Sequence, residues 1–349
     1  MDSRADTRIT DLFGIELPVI QAPMAGANGP EMAIAVSEAG GLGSLPGALY
    51  TPQQLADALE TVRAGTRRPI NLNFFAYAAV PDDAGKQKAW WERLSPYYAE
   101  AGLVPGPDAA TIRRASFDEA ACAIVESFRP EVVSFHFGLP AESLVARVRR
   151  AGARIIASAT TVAEARWLDA RGVDAVIAMG LEAGGHRGNF LDDDMNAQIG
   201  TFALVPLVAD AVRVPVIAAG GIVDRRGVVA ALALGASAVQ VGTAYLFTPE
   251  ARIHAVYRAA LGARDRTTAI TNVFSGRPAR GIVNRLMRDL GAMSDLAPPF
   301  PAAADAVAPL RRAAEAAGRD DFSPLWAGES FPRAQPMSAA ALTRLLGGA

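Results

Sequence analysis

"RIIASATTVAEARWLDARGVDAVIAMG", residues 154–180, decides the fold. It opens on an apolar run (154–159), passes through a stretch with helical spacing of its apolar residues (161–172) and closes on a second apolar run (175–180). The helical stretch ends on a glycine, as helix C-termini favour. Two short runs separated by a helix read as parallel strands, because parallel neighbours need a long crossover and antiparallel ones do not.

The same alternation recurs on both sides. Strands are expected at 18–22, 41–45, 70–75, 132–137, 154–159, 175–180, 215–220 and 238–243, with helical patterns such as "TPQQLADALETVRAG" and "RRGVVAALALGA" between them. Eight βα units predict an α/β fold of the TIM (β/α)8 barrel type; a doubly wound open sheet, which also alternates, is the alternative. Two stretches fall outside the repeat. Residues 76–117, with "KQKAWWERLSPYYAEAG", form an insertion after the third strand, at the end of the barrel where catalytic loops gather. Residues 264–349 are rich in Ala, Pro and Arg and carry helical pieces around 279–290, 302–317 and 338–346. The expected division is a barrel over 1–263 and a helical cap over 264–349 that completes the active site.

Composition narrows the function. A formal net charge of -2 gives no electrostatic reason to expect nucleic acid or an anionic membrane as partner. No apolar run reaches the length of a membrane span, and "MDSRADTRIT" lacks the apolar centre of a signal peptide, so the expected location is cytoplasmic. The single cysteine, Cys122, lies in an amphipathic helical pattern and reads as a buried structural thiol. No metal is expected: there is no H-E-x-x-H, and "LDDDMN" (191–196) lacks the glycine and spaced acceptors of a calcium loop. Nor is there a G-x-S-x-G, or a G-x-G-x-x-G after a strand. The oligomeric state is not set by anything in the sequence.

Candidate chemistry gathers at the predicted C-terminal strand ends. His186, in "LEAGGHRGNF" (181–190), follows the sixth strand beside Gly184 and Gly185, where a planar ligand can approach the backbone and an imidazole can act as a base. "AAGGI" (218–222) and "QVGT" (240–243) end the seventh and eighth strands with glycines, in the two loops that commonly hold a phosphate in such barrels. Asn71 and Asn73 share one face of the third strand, and Gln21 and Gln240 are further polar residues on strands. Met24 ends the first strand and His136 the fourth, where it reads either as structural or as a substrate contact. His254 lies in a helical pattern and is assigned no role.

Taken in order, "PVIQAPMAG", "GGLGSL", "INLNFF", "VVSFHFGLP", "EAGGHRG", "PVIAAGGI", "VQVGTAYLFTPEA" and "FSGRPARGIVNRLM" resemble the nitronate monooxygenase family, from about residue 12 to 290. "AGGHRG" with "NLNFF" resembles its class I. The resemblance implies a TIM barrel binding FMN and the oxidative denitrification of alkyl nitronates, such as propionate 3-nitronate. Oxygen is consumed, and a carbonyl product and nitrite form through a flavin semiquinone. A neutral nitroalkane is a further implied substrate. It makes His186 the catalytic base. Asn71 falls at the flavin ring, lined by Ala22, Pro23 and Met24. Gly184, Gly185, Gly220, Gly221, Gln240, Gly242 and Thr243 hold the cofactor, with Ser158 and Thr160 as further cofactor candidates. His136 and either Tyr97 or Tyr98 are implied at the substrate. The chain departs from class I at Ala76-Tyr77, where Cys-His is common, and at Glu329, where glutamine is usual. It has no lysine after Lys88, so an anion at the C-terminal end is expected to use an arginine such as Arg333 or Arg285. The rival readings are an FMN-dependent NAD(P)H reductase on the same barrel and a non-catalytic flavin-binding protein.

Overall fold

The structure, a computed structural model, describes residues 6–78, 83–104, 106 and 116–349. Eleven strands form among these residues: β1 (Val19–Gln21), β2 (Gly43–Pro46), β3 (Ile70–Phe75), β4 (Val132–His136), β5 (Arg154–Ala159), β6 (Ala175–Met179), β7 (Gly185–His186), β8 (Val216–Ala219), β9 (Ala238–Val241), β10 (Thr268–Thr271) and β11 (Ala279–Ile282). Eight are parallel neighbours in the order β1-β9-β8-β6-β5-β4-β3-β2. A parallel bridge between Ile20 and Leu42 joins the two outer strands, so the sheet closes on itself as a TIM barrel. The eight expected strands are these eight, each within a few residues. Their inner and outer faces are both covered, which explains why they read as continuous apolar runs.

The helical ring closes in an unexpected way. Helix Ala339–Gly347 packs against β1 and against helices Arg225–Ala233 and Pro30–Glu38, and so occupies the eighth helical position of the barrel. Its Leu342 and Leu346, one turn apart, belong to the main core. Ser338 accepts from Ala341 N at its start and Gly348 ends it in a left-handed cap. The cap expected over 264–349 therefore stops short of the terminus: the chain leaves the barrel after β9 and returns for its last helix. Tyr245, just past β9, shares a 2.8 Å hydrogen bond with Thr343 and ties the two ends of this excursion together.

Within the excursion, 279–282 is strand β11, not the start of a helix; only Arg285–Leu290 is helical. Gly281 explains the difference: a Cβ there would lie 2.9 Å from Leu325 O, so the backbone is packed flat against a neighbouring segment. The insertion after β3 follows its own logic. Helix Ala84–Glu100 carries Trp90, Leu94 and Tyr98 at one-turn spacing, and this stripe packs against Val307 and Leu310 of helix Ala303–Ala316. Insertion and excursion thus build a second core. Residues 79–82, 105 and 107–115 of the expected insertion lie outside the described residues. Cys122 is fully buried, and burial pushes its thiol up. Among the described residues no helix is long and apolar enough to cross a membrane, and no cluster of potential metal ligands occurs.

Candidate active site

A cavity of about 530 Å³ opens at the C-terminal ends of the barrel strands. Ala22, Pro23 and Met24 border it from the end of β1, and Asn73 and Phe75 from β3. His136 and Ser158 border it from β4 and β5, Gln240 from β9, and Gly242 and Thr243 just beyond. Gly184, Gly185, His186, Gly220 and Gly221 come from the loops after β6 and β8.

His186 is held at three points. Its backbone belongs to β7, which pairs antiparallel with β11, placing Ala279 opposite His186 and Arg280 opposite Gly185. Its carbonyl accepts from His136 Nε2 at 3.1 Å. Its ring Nε2 lies 2.8 Å from Ser275 Oγ. The rings of Phe300 and Trp326 stand 5.3 Å from the imidazole, with Phe137 at 6.3 Å, so an aromatic wall surrounds it.

His136 has its tautomer set by its partners. A carbonyl only accepts, so Nε2 carries the hydrogen; Nδ1 then accepts from Ser158 Oγ at 2.7 Å. Burial pushes its pKa down to about 4, opposed by the bond to the His186 carbonyl and helped by the charges of Arg277 and Arg187. His136 is a neutral positioning residue for His186 and Ser158. Because the folded pKa is below the unfolded value, the unfolded chain binds the proton first. Stability is therefore complete above about pH 6.5 and falls as pH drops from there to about 4, by on the order of 2 kcal/mol after screening by solvent in the cavity. Urea midpoints measured across that range should fall more steeply for the native chain than for His136→Gln; parallel slopes would exclude the effect.

The glycines make room. A Cβ on Gly184 would sit 2.5 Å from Gly328 N, so the loop after β6 and the segment around 328 touch backbone to backbone. Gly220 has φ +116°, a conformation that side chains avoid, and turns the chain away from the cavity right after β8. Thr243 begins a short 3-10 helix, Thr243–Phe247, and its hydroxyl accepts from Gly328 N at 3.0 Å. Gln240 Oε1 is buried at the cavity and has no hydrogen-bond partner among the described residues. A bound group with a donor there would satisfy it.

Other predicted residues are placed elsewhere. Asn71 is fully buried and its amide donates to Ser44 Oγ at 3.0 Å; it lies one layer beneath the cavity, whose floor is Asn73. Asn73 donates to Ser134 Oγ at 2.9 Å. Gln21 accepts from Ser44 N and is likewise beneath. Thr160 lies beyond the last residue of β5, where alternation no longer holds, and bonds to Glu164 and Gln198. Neither Tyr97 nor Tyr98 borders the cavity. Tyr98 is buried with its hydroxyl on Ala306 O, and Tyr97 packs on Phe322 and bonds to Asp289, because that helix spends its apolar face on the second core. Arg285 pairs with Glu100, and Arg333 stands near Asp224, so neither reaches the cavity; Arg252 and Arg311 border it instead.

Several site residues escaped sequence reasoning. Ser275 and Trp326 arrive from the excursion, and no local pattern marks them. Tyr257 borders the cavity and its hydroxyl donates to Trp326 O. His254, which borders it too, caps helix Ala255–Gly262 through Nδ1 and faces Glu315 Oε1 at 3.1 Å through Nε2. Glu329 pairs with the buried Arg280 at 2.9 Å. Arg187, beside His186, is fully buried and donates to Met179 O, Gly180 O and Gln198 Oε1. It stitches the end of β6 to the loop that follows.

Residues 6–346 match a family model described as nitronate monooxygenase. The chain is 43% identical to nitronate monooxygenase of Pseudomonas aeruginosa, over 97% of each chain. It is 41% identical to nitronate monooxygenase of Paraburkholderia phytofirmans, over 99% of this chain and 95% of that one. Among solved structures, it resembles a nitroalkane oxidase from Streptomyces ansochromogenes with a TM-score of 0.88 and 37% identity, covering 98% of this chain and 97% of that one.

Proposed function

The chain belongs to the nitronate monooxygenase family and is an oxidoreductase; from that premise we propose that it converts alkyl nitronates and oxygen to a carbonyl compound and nitrite with non-covalently bound FMN. The observation that carries this reading is the pairing, in one cavity, of a fixed histidine with a glycine-lined cradle that holds an unsatisfied amide oxygen, Gln240 Oε1. The residues present fit FMN. Gly220, Gly221, Gly242 and Thr243 would hold its phosphate and ribityl chain through backbone groups, in the two loops where such barrels bind phosphate. Ala22, Pro23 and Met24 would line the ring, Gln240 would accept from it, Gly185 would leave it room, and Gly184 would hold it with its backbone where the 328 segment closes on the loop.

When bound, FMN supplies the electron transfer that the side chains cannot. The protein's own part is positional and acid–base. The aromatic wall of Phe137, Phe300 and Trp326 excludes water from the face of His186. His186 takes the α-proton of a neutral nitroalkane onto its imidazole and is not needed for a substrate that arrives as the nitronate. Residues 264–338 act as a cap that completes the site, contributing Ser275 and Trp326.

Oxygen uptake by the FMN-loaded protein with propionate 3-nitronate tests the reading. Uptake matched by nitrite release, without nicotinamide, is the expected result. No uptake on any nitronate, together with rapid oxidation of NADH or NADPH in the presence of a quinone, would replace it with the reductase reading.

A further inference from the structure

We propose that Ser275 is the positioning residue for His186: its hydroxyl accepts from Nε2–H, fixes the tautomer and orientation of the ring, and stabilises the imidazolium that forms when a proton is taken up. The proposal rests on His186 as the base of the reaction above.

Three observations support it. Ser275 is 1% exposed and its Oγ is 2.8 Å from His186 Nε2, so the contact does not compete with bulk water. The same hydroxyl points its hydrogen to Arg277 O at 3.4 Å, a long bond that still leaves the oxygen lone pairs turned to the imidazole. The turn that carries it is rigid. Ser275 N and Gly276 N both bond to Asn272 O, and the Asn272 side chain clasps the backbone of Ser294 in both directions, at 2.9 Å each way. A hydroxyl on so fixed a turn orients its partner, whereas one on a mobile loop would follow it.

The charged and titratable surroundings of His186 sharpen the argument. His136 on β4 is neutral and spends its Nε2 hydrogen on the His186 carbonyl. Arg187 follows it in sequence, Arg280 on β11 lies opposite Gly185, and Arg277 precedes that strand, stacked on Phe137. Glu329 pairs with Arg280, and Glu182 bonds to Thr201 at the start of helix Thr201–Ala209. Arg187 and Arg280 are buried and Arg277 is half-buried, so these neighbours of the ring's loop are cationic, and like charge nearby disfavours an imidazolium. A neutral acceptor on Nε2–H offsets part of that cost, because an N–H···O bond is stronger when the donor is charged.

The chain has only three histidines, which makes the test direct. Nitrogen-15 spectra of the FMN-loaded protein, with His186→Asn used to assign the resonance, would follow His186 through a pH titration in the native chain and in Ser275→Ala, Ser275→Thr and Ser275→Cys. The expected result is a His186 ring protonated at Nε2 in the native chain and in Ser275→Thr. In Ser275→Ala it becomes a mixture of tautomers whose protonation midpoint falls, with Ser275→Cys between and serving if the alanine variant does not fold. In parallel, turnover of a nitroalkane should fall about tenfold in Ser275→Ala against its own preformed nitronate, which should change little. An unchanged tautomer and midpoint in both Ser275→Ala and Ser275→Cys overturns the proposal, as does an equal loss on both substrates. His186→Asn separates the two layers: if it too leaves the nitroalkane-to-nitronate ratio unchanged, the base assignment fails, and the stabilising role of Ser275 falls with it.

Discussion

In His186→Asn, turnover of a neutral nitroalkane should drop by about 10²–10⁴-fold, the range supplied by a positioned general base, while turnover of the matching nitronate survives to within about tenfold. The asymmetry follows from the chemistry: only the neutral substrate needs a proton removed before it can be oxidised. Asparagine keeps much of the shape and a hydrogen-bonding edge, so the contact with Ser275 Oγ and the packing against Phe300 and Trp326 are perturbed least. Steady-state kinetics on the two substrates, with FMN content measured for each preparation, check it. Loss of both activities in parallel would reduce His186 to a residue that shapes the pocket.

The second large effect is on stability. Arg187 is fully buried, and its guanidinium serves Met179 O at 2.8 Å, Gly180 O at 2.7 Å and Gln198 Oε1 at 2.9 Å. Arg187→Met keeps the length but removes every donor: Gln198 Oε1 and Met179 O lose the guanidinium, while Gly180 O keeps its bond from Ala183 N. A buried acceptor deprived of its donor costs about 1–3 kcal/mol, and the relief of burying no charge offsets part of the total, so a loss of about 2 kcal/mol is expected. Arg187→Lys retains charge but not the planar fork and should lie between. The urea midpoint should fall with the slope unchanged. FMN retention should fall with it, because the same network sets the loop carrying Gly184, Gly185 and His186. Gln198 passes the network on to Thr160, and Thr160 to Glu164, so the effect reaches the end of β5 as well. An unfolding free energy within about 0.5 kcal/mol of the native chain's would mean that these acceptors find other partners.

Glu329 illustrates a departure that the fold absorbs. Where the class I resemblance leads one to expect glutamine, this chain has a carboxylate, and it meets the buried guanidinium of Arg280 rather than the cavity. The ion pair joins the 324–331 segment to β11, and Glu329 itself does not border the cavity.

The barrel was legible in the sequence because its signal is local. Apolar runs of strand length alternating with helical periodicity mark each βα unit, and the glycines at 184, 220 and 242 mark strand ends where the backbone approaches a ligand or turns sharply. His186 stood out for the same reason, by its place in a chain with few histidines. Depth was not legible. Asn71 and Asn73 share a face by alternation, yet two residues along a strand are roughly 6–7 Å, enough to separate a cavity floor from the layer beneath it. The tyrosines at 97 and 98 lie on a helix whose partner, Ala303–Ala316, is some 200 residues away, so its apolar face was visible but not what it would cover.

By itself, then, the sequence determined the repeat, the strand ends and the family likeness, since each is written in spacing along the chain. The tertiary structure alone decided that the last helix completes the barrel, that β11 pairs with the two-residue strand at His186, and that Ser275 reaches its ring from 89 positions away. Such contacts depend on where a long excursion returns. That is set by the summed burial of the second core and the pairing of its edges, and no local pattern records it.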